Sequence, residues 1–452
     1  MSDGGLAACE EKMRAEGLPE VAIETFAHYY RQLEAGATGL IPETEIEPVA
    51  SLPDAEELAD EAGTDLLDQA VVVKLNGGLG TSMGMSGPKS LLVAKEGDTF
   101  LDLIARQVRG LRETSGARVP LVLMNSFATR EASLAELGEG LSADLEPDFV
   151  QHKEPKVLVD GLGPAAWPAN PSLEWCPPGH GDLFTALQTS GLLDQMLDRG
   201  YRYAFVSSSD NLAAVLDPRI LAWMAAEEAP FVMEVADRTA ADRKGGHVAR
   251  GNDGALLLRE VAQCPEEDLD AFQDTDRHRY FNTNTIWLDL RAVAAELERR
   301  DGVLGLPLIR NKKTVDPSDR SSPPVFQIET AMGAALGVIE GARALRVPRS
   351  RFTPVKTTND LLALRSDAYA VAADGSVVLA GERPPFIDLD DDHFKLVGDF
   401  EARVEEPPSL RDCEGLVVRG DVTFGPGVVV RGRVQIDAAH GPVRLEDTVL
   451  EG

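Results

Sequence analysis

A run of glycines between residues 77 and 87 is the first feature that could bind a ligand. Residues 71–90 read VVVKLNGGLGTSMGMSGPKS, in which an apolar β-branched run leads into five glycines and then Pro88 and Lys89. Glycines after a strand let backbone N–H groups converge on an anion without interference from Cβ atoms. Pro88 restrains the chain just before Lys89, which adds a cation. The pattern predicts a loop for a nucleoside triphosphate, with a purely structural turn as the alternative.

The loop matches neither of two familiar phosphate-binding motifs. Gly78, Gly80 and Gly84 give G-x-G-x-x-x-G, whereas the dinucleotide fingerprint is G-x-G-x-x-G. A Walker A loop has a glycine directly before its lysine, where this chain has Pro88. We therefore expect backbone amides to bind the anion in a different loop geometry.

The elements that must position this loop alternate along the chain. Short apolar strand candidates such as VPLVLMN, YAFVSSSD and NTNTIWLDL alternate with longer helical stretches. This order is typical of an α/β domain around a mostly parallel sheet, whose strand ends carry ligand-binding loops. Before residue 50, the spacing of Ile23, Phe26, Tyr30 and Leu33 predicts a helix.

The pattern of apolar residues along the sequence changes near residue 400. The segment LVVRGDVTFGPGVVVRGRVQI has valines in steps of about six residues, punctuated by glycine and without a helical period. This spacing predicts a few coils of a β-helix as a separate C-terminal module. A plain β-meander is the alternative.

Composition limits the cellular setting and the partners. The 452 residues are 43% hydrophobic, and 75 acidic against 44 basic residues give a net charge of −31, which disfavours nucleic acid and anionic membranes as partners. The opening MSDGGLAACEEKMRAEG lacks the blocks of a signal peptide, and no apolar run approaches the roughly 18 residues of a spanning helix. Four scattered cysteines suggest neither disulfides nor a zinc site. We expect a soluble, cytoplasmic protein.

The glycine loop resembles the nucleotide-binding loop of eukaryotic-type UTP–glucose-1-phosphate uridylyltransferases, the UDP-glucose pyrophosphorylases. The resemblance continues in the family's order through PPGHGDLF, SSSDNL, RKGGH, FNTNTIWLDL, QIETAMGAA and PVKTTNDLL. Related UDP-N-acetylhexosamine pyrophosphorylases typically have an arginine after the loop threonine, where this chain has Ser82. This difference favours a glucose 1-phosphate enzyme.

The resemblance implies a fold in three parts. Residues 1–70 are expected to form an N-terminal helical segment, and residues 71–385 a Rossmann-like nucleotidyltransferase domain with a mostly parallel central sheet. Residues 386–452 are expected to form a short left-handed β-helix domain. In the family this domain can mediate association, and we expect a monomer or small homo-oligomer because the chain stops apparently short of the family's final strands.

The implied reaction is attack of a glucose 1-phosphate oxygen on the α-phosphorus of UTP, with release of pyrophosphate. Such chemistry needs positioning and charge neutralisation and no covalent nucleophile. Lys356 and Lys89 match the family's phosphate-contacting lysines and are the expected catalytic residues. Asp210, which ends YAFVSSSD, is the expected Mg²⁺ ligand because one carboxylate plus substrate phosphates suits this cation. The family often has asparagine where this chain has Ser208.

The resemblance also implies the residues that recognise the base and the sugar. Gln151 should read uracil, since an amide can accept from N3–H and donate to a ring carbonyl. It lies in FVQHKEPKV, which departs from the more usual asparagine–glutamine pair. The expected nucleotide-binding residues are Leu75, Asn76, Gly77, Gly78, Lys89, Met124, Gln151 and Gly179. The expected substrate-binding residues are His180, Gly246 and Asn284.

Three alternatives stay open from the sequence. A broader UDP-sugar pyrophosphorylase that accepts galactose 1-phosphate differs only in how the pocket treats one hydroxyl. An acyltransferase of the hexapeptide type would use the C-terminal repeat, but such enzymes need many coils and an active histidine, and His440 is isolated. A purely regulatory nucleotide-binding protein would not need Lys89, Lys356 and Asp210 together.

Overall fold

A computed structural model of the protein describes residues 3–59, 63–239, 242–381 and 383–452. The chain forms two compact units. Unit 1 consists of the described residues within Met1–Val73, Asp144–Ser207 and Asp217–Pro348. Unit 2 consists of those within Lys74–Ala143, Ser208–Leu216 and Arg349–Gly452. Among the described residues, no helix is both long and apolar enough to cross a membrane.

The elements are numbered in chain order. The α-helices are α1 (Asp3–Ala15), α2 (Glu20–Glu34), α3 (Phe100–Ser115), α4 (Arg130–Leu137), α5 (Leu183–Thr189), α6 (Leu192–Asp198), α7 (Pro218–Ala226), α8 (Leu269–Gln273), α9 (Leu290–Arg299), α10 (Thr358–Arg365), α11 (Asp391–Phe394) and α12 (Val397–Arg403). The strands are β1 (Ile46–Pro48), β2 (Ala70–Asn76), β3 (Val93–Lys95), β4 (Asp98–Thr99), β5 (Leu121–Asn125), β6 (Asp148–Val150), β7 (Glu154–Pro155), β8 (Val157–Leu158), β9 (Trp175–Cys176), β10 (Tyr203–Ser208), β11 (Phe231–Asp237), β12 (His247–Gly251), β13 (Leu256–Arg259), β14 (Tyr280–Asp289), β15 (Ile309–Thr314), β16 (Pro324–Glu329), β17 (Arg343–Arg346), β18 (Tyr369–Val371), β19 (Val377–Leu379), β20 (Phe386–Asp388), β21 (Cys413–Arg419), β22 (Val422–Phe424), β23 (Val429–Asp437), β24 (Val443–Leu445) and β25 (Val449–Glu451).

The predicted N-terminal helix is present as α2. Its apolar residues at helical spacing, Ile23, Phe26, Tyr30 and Leu33, are all buried in one cluster of unit 1 with residues of α1. Apolar side chains one turn apart lie on one face of a helix, so the periodicity in the sequence and the burial agree.

The sheet of unit 1 is mixed, whereas the sequence predicts a mostly parallel sheet. The long strand β14 pairs antiparallel with β10, β11 and β12, and β11 pairs parallel with β17. A further antiparallel pair, β12 with β13, is joined by a tight turn that contains Gly254 at φ 83°. A strand that returns through such a turn must run antiparallel to the previous one.

Unit 2 contains the end of β2, helix α3, strand β5 and the C-terminal strands. Helix α3 begins at a capping box in which Thr99 and Asp102 bond each other's backbone N–H groups, at 3.1 and 2.9 Å. At the C-terminal end, β20, β21, β23 and β25 form one parallel sheet, and β22 pairs parallel with β24. A meander would pair consecutive strands antiparallel, so this alternative is wrong for the C-terminal segment.

Candidate active site

The glycine loop of unit 2 contains left-handed residues that the sequence anticipates. Gly80 and Gly84 have φ of 63° and 74° and flank a short 3₁₀ turn over Thr81–Met83. Lys89 donates its backbone N–H to the carbonyl of Gly78 at 3.0 Å, which closes the loop. Only glycine adopts such φ values without cost, and the loop can therefore double back toward the end of β2.

Lys89 and Asp210 form an ion pair inside unit 2. Lys89 Nζ lies 2.9 Å from Asp210 Oδ2, with 14% of each side chain exposed, and Nζ also contacts the carbonyl oxygen of Val355. Burial disfavours the charged carboxylate, but the charges of Lys89 and Lys356 outweigh it and hold the pKa of Asp210 below its usual value. Asp210 is therefore ionised at neutral pH.

Lys356 directly follows Val355, whose backbone groups contact both residues of this ion pair. Its neighbour Val355 donates its N–H to the carbonyl of Asp210 at 3.0 Å, while the Lys356 side chain is exposed at the start of α10. The carboxylate of Asp360 accepts the N–H of Lys356 at 2.8 Å and fixes this turn. Unit 2 thus brings together three residues that were predicted from separate motifs, Lys89, Asp210 and Lys356.

The other predicted residues of unit 2 line the end of β2 and β5. The backbone carbonyl of Leu75 accepts the N–H of Ser209 at 3.0 Å, and Ser126 Oγ donates to the backbone carbonyl of Gly77 at 3.0 Å. Met124 is buried with 3% exposure. Asn76 is also buried, and its amide donates to Asn125 and Ser133 at 2.8 Å each, so that both amide hydrogens are used within unit 2.

Unit 1 brings Gln151 next to the PPGHGD loop. Gln151 Nε2 donates to the carbonyl of Gly179 at 2.9 Å. Gly179 has φ 80°, and a Cβ atom there would lie 2.4 Å from the carbonyl oxygen of Thr330, so the position requires glycine. His180 Nδ1 accepts the N–H of Met332 at 3.0 Å, which leaves the hydrogen of a neutral ring on Nε2.

A polar cluster in unit 1 surrounds the two residues predicted for the sugar. Asn284 has φ 54° and exchanges hydrogen bonds of 2.9 Å with the side chain of Asn282, which also donates to Glu260 Oε1 at 3.3 Å. A Cβ atom on Gly246 would lie 2.5 Å from Glu260 Oε2. Gly246 and Asn284 are therefore brought together around Glu260 and Asn282, which the sequence interpretation missed.

The pairing of β12 with β13 explains how Glu260 reaches this cluster. His247 pairs with Arg259, which places the preceding Gly246 beside the following Glu260. No sequence motif marks Glu260, but its position one residue beyond a strand, opposite the KGG turn, would have indicated it once the hairpin register was known.

The predicted residues therefore divide between the two units. Unit 2 holds Leu75, Asn76, Gly77, Gly78, Lys89, Met124, Asp210 and Lys356, and unit 1 holds Gln151, Gly179, His180, Gly246 and Asn284. Unit 2 offers cations and glycine-loop amides for phosphates, and unit 1 offers amides and a carboxylate for neutral polar groups. No cluster of three or more His, Cys, Asp or Glu suited to a metal ion occurs in the part of the chain that the structure describes.

Comparisons with known proteins identify the family. A family model described as UTP--glucose-1-phosphate uridylyltransferase matches residues 23–431. The protein of that name from Solanum tuberosum is 40% identical over 387 residues, which cover 84% of this chain and 79% of the relative. The Saccharomyces cerevisiae protein of that name is 41% identical over 400 residues, covering 85% and 79% of the two chains.

Solved structures that are similar to this chain come from the same kind of enzyme. A variant of UDP-glucose pyrophosphorylase from Leishmania major in complex with UDP-glucose is 44% identical, with a TM-score of 0.91 and 100% of both chains covered. A Trypanosoma brucei structure is 45% identical, with a TM-score of 0.90 and the same coverage. The chain belongs to the UTP–glucose-1-phosphate uridylyltransferase family.

Proposed function

We propose that the protein transfers the uridylyl group of UTP to glucose 1-phosphate, forming UDP-glucose and pyrophosphate. The observation that carries this proposal is the convergence of Lys89, Asp210 and Lys356 in a member of this uridylyltransferase family. The reaction joins two anions, and preorganised cations lower its barrier most when they lie where charge develops.

The residues of unit 2 supply the electrostatics of the transfer. The amides of Gly77 and Gly78 and the ammonium of Lys89 bind the triphosphate of UTP, with Leu75, Asn76 and Met124 along the nucleoside. Asn76 contributes through its backbone, because its side-chain NH₂ group is already hydrogen-bonded to Asn125 and Ser133. Lys356, exposed and next to the ion pair, meets the phosphate of glucose 1-phosphate as it attacks the α-phosphorus in line.

Asp210 fits a divalent cation of the Mg²⁺ type. Its carboxylate is ionised, and its buried Oδ1 has no hydrogen-bond partner among the described residues. A single carboxylate suits Mg²⁺, which takes its remaining ligands from phosphates and water. The cation would neutralise charge on the triphosphate. Lys89 is drawn from Asp210 toward the phosphates when these bind.

The residues of unit 1 recognise the uncharged parts of the substrates. Gln151 and the backbone of Gly179 read the uracil ring, and His180 Nε2–H donates to a phosphate oxygen. Gly246 and Asn284, with Glu260 and Asn282, bind the hydroxyl groups of glucose. Their cluster of acceptors and donors suits a sugar, because each hydroxyl both donates and accepts.

The organisation of the chain is part of the proposal. It consists of a helical segment over residues 1–70, a Rossmann-like catalytic domain over residues 71–385 and a left-handed β-helix over residues 386–452. Helices α1 and α2 support the helical segment. The parallel ladder of β20, β21, β23 and β25 supports the β-helix. We further propose a cytoplasmic monomer or small homo-oligomer that partners neither nucleic acid nor membranes.

Pyrophosphate release tests the reaction. The purified protein should be assayed with Mg²⁺ over a grid of nucleoside triphosphates and sugar 1-phosphates, with Lys356→Ala as the control for contaminating activity. UTP with glucose 1-phosphate should give the highest kcat/KM. No product from this pair would overturn the proposal, and equal rates with galactose 1-phosphate would favour the broader UDP-sugar pyrophosphorylase.

A further inference from the structure

The residue that follows Gln151 is held by a buried carboxylate. His152 donates its backbone N–H to Asp182 Oδ2 at 2.7 Å, and its ring Nδ1 lies 2.8 Å from Asp182 Oδ1. Only 9% of the His152 side chain and 4% of the Asp182 side chain are exposed. Because carboxylate oxygens accept hydrogen bonds, Nδ1 carries a hydrogen, and Nε2 contacts Thr189 Oγ1 at 3.1 Å.

The same aspartate belongs to the loop that holds the Gln151 side chain. The carbonyl of Gly179 accepts both Gln151 Nε2 at 2.9 Å and the N–H of Asp182 at 3.3 Å. Gln151, His152, Asp182 and Gly179 therefore form a closed ring of covalent and hydrogen-bonded links. A shift of either chain segment would have to break one of these bonds.

This ring determines which way the Gln151 amide points. The carbonyl of Gly179 can only accept, so the NH₂ group of Gln151 must face it. The amide oxygen and the second N–H have no partner among the residues that the structure describes, and they remain for a ligand. This arrangement suits uracil, which offers an N3–H donor and a carbonyl acceptor, and opposes cytosine, which offers an acceptor at N3 and an amino donor.

The loop side of the ring has its own supports. Thr330 donates its N–H to the carbonyl of Pro178 at 2.9 Å, and Gly181 donates to the carbonyl of Thr330 at 2.9 Å. The Gly179 carbonyl is therefore held from outside the ring. Asp182 anchors the segment that carries Gln151 to this loop, because its carboxylate binds both the backbone N–H and the imidazole of His152.

We propose that His152 and Asp182 are positioning residues that set base specificity. They hold Gln151 in the amide orientation that accepts uracil and rejects cytosine, and neither touches the base. This inference rests on the proposed function, because it takes Gln151 as the residue that reads the base. It assigns the selectivity between UTP and CTP to two buried residues that do not contact the base.

The test compares UTP with CTP in variants of His152. His152→Leu removes the donor to Asp182, and the ratio of kcat/KM for UTP to that for CTP should fall about tenfold or more. His152→Asn keeps a donor at the position of Nδ1 and should restore most of this ratio. Arg202→Gln breaks another ion pair of unit 1, Arg202 with Asp289 at 2.8 Å, and should leave the ratio unchanged.

A purely structural role predicts a different result. In that case His152→Leu would lower the melting temperature, and turnover of UTP and CTP would fall by the same factor, which would overturn the proposal. Thr189→Val removes only the contact with the outer ring nitrogen and offers a milder variant if His152→Leu does not fold. Its UTP to CTP ratio should fall less but in the same direction, and an unchanged ratio would count against the proposal.

A binding measurement separates this inference from the proposed function. Calorimetric titration of each variant with UTP and with CTP gives the affinity ratio without turnover. If the wild type bound UTP but formed no product with glucose 1-phosphate, the proposed function would fail, and the affinity ratios would still test His152. Equal wild-type affinities for UTP and CTP would overturn the positioning role itself.

Discussion

Lys89 Nζ lies 2.9 Å from Asp210 Oδ2, so the residue proposed to bind phosphates is paired with the residue proposed to bind the cation. The pair brings opposite charges together at a largely buried position, and their attraction offsets part of the cost of removing each from water. In the proposed complex, Lys89 would pair with phosphate, and Asp210 would hold the divalent cation.

Replacement of Lys356 should affect turnover more than binding. In the proposed complex its charge acts where the two phosphates meet, and an interaction made mainly in the transition state raises kcat. Lys356→Ala should lower kcat by about 10²-fold with little change in the KM for UTP. Steady-state kinetics check this, with Lys395→Ala as the control because Lys395 is an exposed lysine of unit 2 without an assigned role. Near-normal kcat in Lys356→Ala would remove this residue from the reacting centre.

Replacement of Lys89 should affect binding as well. Lys89 lies along the bound triphosphate in the proposed complex, so Lys89→Ala should raise the KM for UTP and lower kcat together. It also leaves Asp210 without its 2.9 Å partner, and the variant should melt at a lower temperature than Lys356→Ala. Equal melting temperatures with an unchanged KM would contradict this role.

Asp210→Asn should change the metal dependence of the reaction. The substitution keeps the shape of the side chain but removes the charge that draws a cation. We expect a higher Mg²⁺ concentration for half-maximal activity, and partial recovery of kcat at high Mg²⁺. Titration of activity with Mg²⁺ measures this, with Asp399→Asn as an exposed control in the same unit. An unaltered Mg²⁺ curve would show that Asp210 is not the metal ligand.

Local patterns and the resemblance to the family account for what could be predicted. The burial of Ile23, Phe26, Tyr30 and Leu33 follows from their spacing along one helix, and the left-handed glycines follow from the composition of the loop. The resemblance to the family indicated Lys89, Lys356 and Asp210, and the structure brings them together within unit 2. Their roles remain predictions.

Glu260 and the sheet could not be predicted in the same way. The place of Glu260 beside Gly246 depends on the pairing of His247 with Arg259, and this register was not predicted because the β12–β13 hairpin itself was not recognised in the sequence. The mixed sheet was missed for the same reason. An alternation of strands and helices predicts parallel strands, and it does not show that β12 and β13 are joined directly by a turn.

Gly246→Ala should weaken the binding of glucose 1-phosphate. The added Cβ would lie 2.5 Å from Glu260 Oε2, so that the Glu260 carboxylate, which accepts from Asn282 at 3.3 Å, must shift. We expect the KM for glucose 1-phosphate to rise roughly tenfold while the KM for UTP stays within about twofold, because the substitution disturbs only the polar cluster that is proposed to bind glucose. Gly163→Ala, at a glycine of unit 1 with nothing within 4 Å of its Cβ position, is the matched control. Parallel changes in both KM values would contradict the assignment.

Glu154→Gln should make the stability of the protein less dependent on pH. Glu154 lines a cavity of about 30 Å³ in unit 1, and its Oε1 has no hydrogen-bond partner among the described residues. Burial, and then the charges of Asp182 and Glu329, raise the pKa of Glu154 well above its ordinary value of 4.5. The folded protein therefore keeps a proton on Glu154 at pH values where the unfolded chain has lost it.

The sign of the effect follows from this difference in bound protons. Above pH 4.5 the unfolded chain binds fewer protons at this residue than the folded protein, so its contribution to the free energy of unfolding falls as the pH rises toward the folded pKa. Glutamine cannot ionise and removes this loss. Glu154→Gln should therefore gain stability relative to the wild type as the pH rises above 4.5, and the gain should be smallest at the acid end of the series. Urea unfolding at several pH values measures it, and Glu24→Gln, at an exposed position of α2, controls for loss of a surface carboxylate. A gain that stayed constant across pH would show that Glu154 ionises alike in both states.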